Sequence, residues 1–128
     1  MSTNNATTTP DQASSMRVYG IKNCDTMKKA MAWLTAQGVA FEFIDYKKAG
    51  VAEAHLPDWN ARAGWELLLN KRGLMWKKLS EEERFAVDEQ KALKLMAQYP
   101  ALIKRPVLDT GSRLLVGFSE ETYAELLK

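Results

Sequence analysis

"MRVYGIKNCDTMKKAMAWLTAQGVAFEFIDY", residues 16–46, is the stretch of sequence from which the fold can be predicted. Residues 16–21 form a β-branched and aromatic run that predicts a strand. From residue 25, apolar side chains recur at the i, i+3, i+4 and i+7 spacing of a helix face, and Gly38 supplies a helix stop. Alternating apolar side chains in residues 39–46 predict a second strand. Strand, helix and strand in about thirty residues make a βαβ unit, so we expect two parallel strands.

The rest of the chain predicts a helical segment, a hairpin and a last helix. Gly64 and Gly73 interrupt the helical patterns of the middle, and Ser80 with Glu83 forms a capping-box signature. Residues 103–118, "IKRPVLDTGSRLLVGF", predict two antiparallel strands joined by an Asp-Thr-Gly-Ser turn. The order therefore predicts an α/β protein with a thioredoxin-like fold: a mixed four-stranded sheet with a helical insert between its βαβ and ββα parts.

Composition limits the classes of partner. The 128 residues carry 18 basic and 16 acidic side chains, a balance that does not indicate a nucleic-acid or membrane surface. Residues 1–15 contain no Val, Ile, Leu or aromatic side chain, so we expect a disordered tail followed by a single domain over residues 16–128. The tail also lacks the features of a signal or transit peptide. We expect a cytoplasmic monomer without nucleic-acid or membrane partners.

Cys24, the only cysteine, lies between the first predicted strand and the first predicted helix. Ligands bind at this edge of open α/β sheets, and the N–H groups and dipole of a helix N-terminus stabilise a thiolate. Lys22, Lys28 and Lys29 are close in sequence, although the charge of Asp25 acts in the opposite direction. Cys24 could instead be a small buried hydrophobic residue. Its polar flanks and its place after a strand favour a reactive thiol.

His55 is the only histidine and lies in the helical insert. A Cys24–His55 catalytic pair is an alternative, but we expect His55 to be a solvated surface residue. One cysteine and one histidine fall short of a structural zinc site.

Arg105 and Pro106 open the third predicted strand, where a proline is tolerated because the first residue need not donate to the ladder. In the thioredoxin arrangement this proline is usually cis and faces the cysteine, so Arg105 would project towards the thiolate. The alternative is that Lys104 and Arg105 are simply solvated.

Four motifs in this order resemble the arsenate-reductase-like (ArsC/Spx) family, and most closely its YffB-type branch. They are "YGIKNCDTMKKA", "LLNKRG", "IKRPV" and "LLVGFSEE", and the resemblance covers residues 16–128. It implies a thioredoxin-like fold with a helical insert and a nucleophilic Cys24.

The resemblance implies three candidate functions, of which the first is arsenate reduction linked to glutathione and glutaredoxin. Arsenate reductases are similar at Cys24 and Arg105, but they use two further arginines at the positions of Asn70 and Val116. Losing two cationic partners weakens binding of a tetrahedral oxyanion, so the sequence argues against this activity.

The second candidate is a non-enzymatic regulator. Spx-type regulators are similar at Arg72 and Arg105 and bind RNA polymerase. They typically carry a Cys-x-x-Cys redox switch, which cannot form here because Met27 stands at the second cysteine position.

The third candidate, implied by the YffB-type branch, is a glutathione-dependent thiol reductase, and it is the function we expect. A single cysteine needs an external thiol to resolve its adduct, and glutathione is the abundant cytosolic choice. The expected catalytic residues are Cys24 and Arg105, and the expected substrate-binding residues are Lys22, Arg72 and Pro106. No bound cofactor or metal is expected: glutathione is the co-substrate, and glutaredoxin is a second candidate partner.

Overall fold

The computed structural model describes residues 16–126, so the tail predicted for residues 1–15 lies outside the described residues. The strands are β1 (Arg17–Gly20), β2 (Glu42–Asp45), β3 (Val107–Asp109) and β4 (Leu114–Val116). The helices are α1 (Asp25–Ala36), α2 (Val51–Ala63), α3 (Trp65–Leu68), α4 (Leu74–Lys78), α5 (Glu81–Arg84), α6 (Glu89–Gln98) and α7 (Glu120–Leu126). A 3-10 helix spans Pro100–Leu102.

The described chain divides into two compact units. The sheet unit comprises residues 16–44 and 105–126, and the insert unit comprises residues 45–104. The single domain expected over residues 16–128 is not tested by this division and stays a prediction.

The four strands form one mixed sheet, as the sequence predicted, and the structure gives their order as β2–β1–β3–β4. β1 pairs antiparallel with β3, with Val18 opposite Leu108 and Tyr19 opposite Val107. β3 also pairs antiparallel with β4, which confirms the predicted hairpin. Successive side chains of a strand point to opposite faces, and all four of these paired residues are buried, so both faces of the central strands are covered.

The helices α1 and α7 close the hydrophobic core of the sheet unit. The buried members of this core are Val18, Met27, Ala30, Leu34, Leu108 and Tyr123. The three α1 residues among them belong to the helix face that the spacing predicted. Gly38 then adopts a left-handed φ of 74° just after the helix, as expected of a helix stop.

The helix that begins at Trp65 in the insert unit is shorter than the sequence predicted. The helical pattern of "WELLLNKRG" predicts a helix up to Gly73, whereas α3 ends at Leu68. Leu69 instead forms an antiparallel bridge with Ile103, supported by hydrogen bonds from Asn70 N–H to the Leu102 carbonyl (2.7 Å) and from Lys104 N–H to the Leu68 carbonyl (2.8 Å). These tertiary hydrogen bonds replace the ones that a longer helix would have made.

Other features of the insert unit were predicted with mixed success. The capping box is confirmed, since Glu83 N–H donates to Ser80 Oγ (3.1 Å) and Ser80 N–H donates to Glu83 Oε1 (2.9 Å). The expectation of a solvated His55 is met only in part. His55 is half-buried and stacks on the buried ring of Trp59, with 5.5 Å between ring centroids, because α2 places them one turn apart.

Candidate active site

Cys24 is the N-cap residue of α1. β1 ends at Gly20, the chain turns at Lys22 and Asn23, and Cys24 then has extended backbone angles (φ −107°, ψ 129°). Its carbonyl accepts the first helical hydrogen bond, from Lys28 N–H at 2.9 Å. The side chain is partly exposed and packs with its apolar side against the core of the sheet unit. The predicted position of the thiol between strand and helix is therefore confirmed.

Gly20, at the end of β1, leaves room for a buried side chain of α1. A Cβ at this position would overlap the sulfur of Met27, one of the buried core residues of α1. The missing side chain lets the first turn of the helix pack directly against the strand. Cys24, at the start of that turn, is thereby held at the strand's end.

Arg105 lies on the other segment of the sheet unit that contributes to the site. The peptide bond between Arg105 and Pro106 is cis, which confirms the expectation from the thioredoxin arrangement. Pro106 is buried, and its carbonyl accepts a hydrogen bond from Gly117 N–H at 2.8 Å. Gly117 has a left-handed φ of 85° that a side chain would disfavour. The hairpin thus anchors the backbone that carries Arg105.

Burial and polar neighbours shift the pKa of Cys24 in opposite directions, and their balance favours the thiolate. Partial burial is the largest single effect and raises the pKa of Cys24. Interactions of the sulfur with Met27 N–H, the Arg105 side chain and Thr26 N–H, together with the charge of Arg105, lower it. Their sum is larger, so the pKa of Cys24 lies below its ordinary value.

The interaction with the helix start is electrostatic rather than a conventional cap. The Cys24 side chain accepts no well-aligned N-cap hydrogen bond, unlike the Ser80 hydroxyl of α5. The N–H groups of Thr26 and Met27 still face the sulfur closely enough to lower its pKa. Free N–H groups in the first turn of a helix carry partial positive charge, which is the physical origin of this effect.

The structure gives less support for a role of the predicted substrate-binding residues Lys22 and Arg72. Lys22 is exposed in the turn that precedes Cys24, but the largest charge effect on the thiol comes from Arg105. Arg72 is exposed in the insert unit, where its N–H donates to Asn70 Oδ1 at 3.0 Å. Substrate binding by Lys22 and Arg72 therefore stays a prediction.

The sequence predicted that N–H groups at a helix start stabilise the thiolate, but it did not identify Thr26 and Met27 as the residues that supply them. Their side-chain identities carry no signal for this role, because the main chain performs it. The signal that was available is position, since any residue directly before a helix faces the N–H groups of the next two or three residues.

The described residues show neither a cluster of metal-ligand side chains nor a membrane-spanning helix. Across residues 16–126, no three His, Cys, Asp or Glu side chains come together in a way that could hold a metal ion. In the same range, no helix has the length and apolar character needed to cross a bilayer.

Comparison with known proteins agrees with these features. Residues 19–126 match the ArsC family. A solved structure described as the YFFB protein is 48% identical, with a TM-score of 0.83 over 88% of this chain and 99% of that chain. An arsenate reductase (ArsC) related protein from Brucella melitensis is 43% identical, with a TM-score of 0.71 over 88% of this chain and 94% of that chain.

A curated relative of a different kind is the global transcriptional regulator Spx of Streptococcus pneumoniae. It is 28% identical over 102 residues, which make up 77% of this chain and 75% of the regulator. The similarity therefore extends to proteins named as regulators as well as to reductase-related ones. Because the family match spans most of the described residues, the chain belongs to the ArsC family, and within it the chain is similar to the YffB-type branch.

Proposed function

We propose that this protein is a glutathione-dependent thiol–disulfide reductase in which Cys24 is the nucleophile. The observation that carries the proposal is the convergence of the Arg105 side chain and two helix-start N–H groups on one partly exposed sulfur. Reactive cysteines have this electropositive, accessible environment, whereas structural cysteines are buried and inert.

The reaction proceeds by two thiol–disulfide exchanges. The Cys24 thiolate attacks the glutathione sulfur of a mixed disulfide RS–SG, so that a Cys24–SG bond forms, the RS–SG bond breaks, and RS⁻ leaves and takes a proton from water. A glutathione thiolate then attacks the Cys24–SG bond, which regenerates the Cys24 thiolate and releases oxidised glutathione. The net reaction converts RS–SG and glutathione into RSH and oxidised glutathione.

Arg105 has two roles in this scheme. It stabilises the Cys24 thiolate before attack, and it offers guanidinium N–H groups to a carboxylate of glutathione. Lys22 is an exposed cation that we assign to the same carboxylates, and binding of glutathione by Arg72 is what the family resemblance implies. Pro106 is buried, so its contribution is to hold the Arg105 backbone in place. We place the protein in the cytoplasm, where glutathione is abundant, and the scheme needs only one copy of the chain.

The test is reduction of a mixed disulfide between glutathione and a small thiol. Formation of oxidised glutathione is followed by coupling to glutathione reductase and NADPH. We expect turnover above the uncatalysed rate, and no turnover for Cys24→Ser. If folded wild-type protein adds nothing to the uncatalysed rate, the reductase proposal fails, and the similarity to Spx makes a regulatory role the next candidate.

A further inference from the structure

Asn23 has a backbone conformation that most residues avoid. Its φ is 62°, one of only two positive values among the non-glycine residues of the described chain. L-residues disfavour this left-handed region because Cβ approaches the carbonyl oxygen, and Asn tolerates it better than almost any other residue except Gly. The conformation occurs directly before the thiol that serves the proposed reaction.

The connection between β1 and α1 is short and restricts the backbone angles of Asn23. Gly20 ends β1, and its missing Cβ leaves room for the Met27 side chain of α1. Only residues 21–24 connect the two elements, with the turn at Lys22 and Asn23. After Asn23 the backbone is at once extended at Cys24 and helical from Asp25. The left-handed residue is the point at which the chain changes direction so that Cys24 becomes the N-cap.

The Asn23 side chain is exposed, and no described hydrogen bond or ion pair involves it. Its importance to the site therefore lies in its backbone angles. Strained backbone conformations of this kind persist where the surrounding structure enforces them, and they are frequent next to active-site residues.

We propose that Asn23 is a positioning residue: its left-handed backbone aims the Cys24 sulfur at the N–H groups of Thr26 and Met27. The inference rests on the proposed function only in taking Cys24 as the reactive thiol. A β-branched residue at position 23 would resist the left-handed conformation, the turn would relax, and the sulfur would lose part of its contact with the helix start. Glycine would preserve the geometry, because it adopts positive φ freely.

The experiment compares Asn23→Val, Asn23→Ala and Asn23→Gly in the full chain. Alkylation of Cys24 by iodoacetamide is measured against pH, and no glutathione is present. We expect Asn23→Val to raise the midpoint by about half a unit to one unit, and to slow alkylation at pH 7 about threefold to tenfold. Asn23→Ala should show a smaller shift in the same direction. Asn23→Gly should keep the wild-type midpoint.

The pH profile separates positioning from a merely structural role, because loss of stability alone does not move the midpoint of the folded protein. Circular dichroism identifies which variants are folded; if Asn23→Val is not, the comparison of Asn23→Ala with Asn23→Gly decides. Unchanged midpoints in the folded variants would overturn the inference, and so would an equal shift in Asn23→Gly, which would assign the effect to the amide side chain. A failure of the proposed function is seen separately, as absence of glutathione turnover in the wild type.

Discussion

At the scale of single residues, Cys24 shows how a site balances burial against charge. Burial raises the pKa of the thiol, and the Arg105 side chain and the N–H groups of Met27 and Thr26 lower it. Each favourable contact comes from an element held by the core, either the first turn of α1 or the backbone next to Pro106. The lowered pKa of the thiol is therefore a property of the assembled sheet unit and should return to the free-thiol value on unfolding.

The pH dependence of Cys24 alkylation follows from this balance. Because the pKa is lowered, the thiolate fraction should rise with pH through a midpoint below the free-thiol value of about 8.5, and reactivity should fall as the pH drops below that midpoint. We expect Arg105→Ala to raise the midpoint and to slow alkylation at pH 7 about threefold to tenfold. The midpoint and the rate are measured by stopping the alkylation at set times and quantifying the product by mass spectrometry.

Arg105→Lys is the matched control, since it keeps the charge and changes the geometry of the donors. Its midpoint should lie between those of the wild type and Arg105→Ala. Well above both midpoints, Arg105→Ala should react at least as fast as the wild type, because a thiol of higher pKa gives a more nucleophilic thiolate. A wild-type midpoint at or above about 8.5 would contradict a reactive Cys24.

At the scale of elements, local patterns predicted the helices and strands where local forces decide them. The α1 face, the capping box of α5 and the hairpin of β3 and β4 all follow from side-chain spacing or turn residues within a few positions. The end of α3 could not be predicted in this way. Leu69 leaves the helix to pair with Ile103, and a partner more than thirty residues away gives no signal in the local sequence.

The cap of α6 gives a stability prediction at this scale. Asp88 is the N-cap residue, and its Oδ1 accepts a hydrogen bond from Lys91 N–H at 2.9 Å. The helix carries buried side chains, so weakening its first turn should destabilise the core of the insert unit. We expect Asp88→Ala to lower the free energy of unfolding by about 1 kcal/mol, measured by urea denaturation.

Asp58→Ala is the control for this change. Asp58 is also an exposed aspartate, but its ion pair with Arg62 (3.1 Å) is an i, i+4 pair on a helix surface. Such pairs contribute about 0.5 kcal/mol or less. Equal losses for the two variants would mean that removal of a surface carboxylate, and not of the cap, explains the Asp88 result.

At the scale of the whole molecule, the sequence predicted the sheet and the approach of Arg105 to Cys24, which lie more than eighty residues apart in the chain. These predictions succeeded because element order restricts a chain of this kind to few topologies. The roles of Lys22 and Arg72 could not be predicted from the order of the elements. They depend on a bound substrate, for which spacing in the sequence carries no signal.

Arsenate provides a test of how the molecule differs from arsenate reductases. Asn70 and Val116 stand at the positions for which the family resemblance implies arginines in those enzymes. Val116 pairs with Val107, the residue that follows Pro106 in the sequence. It is therefore an apolar neighbour of β3, the strand that follows Arg105. We expect little arsenate turnover by the wild type with glutathione and glutaredoxin, because charge-assisted hydrogen bonds to the oxyanion are missing.

On the roles that the family resemblance implies for the two positions, Asn70→Arg with Val116→Arg should raise arsenate turnover about tenfold or more, since each hydrogen bond to a charged group is worth about 1.5–3 kcal/mol. Asn70→Gln with Val116→Met is the control of similar bulk without charge, and circular dichroism verifies that each variant is folded. Efficient arsenate turnover by the unmodified protein would show that the two arginines are dispensable here.

The most direct test of the central claim is the intact mass of the protein after incubation with oxidised glutathione. A Cys24 thiolate should displace one glutathione, so we expect a gain of one glutathionyl group, reversed by reduced glutathione and absent in Cys24→Ser. Cys24→Ser should remain folded, because the side chain is partly exposed and the hydroxyl is similar in size. No gain in mass by the wild type, together with unfolding of Cys24→Ser, would show that Cys24 is a core residue and contradict the account.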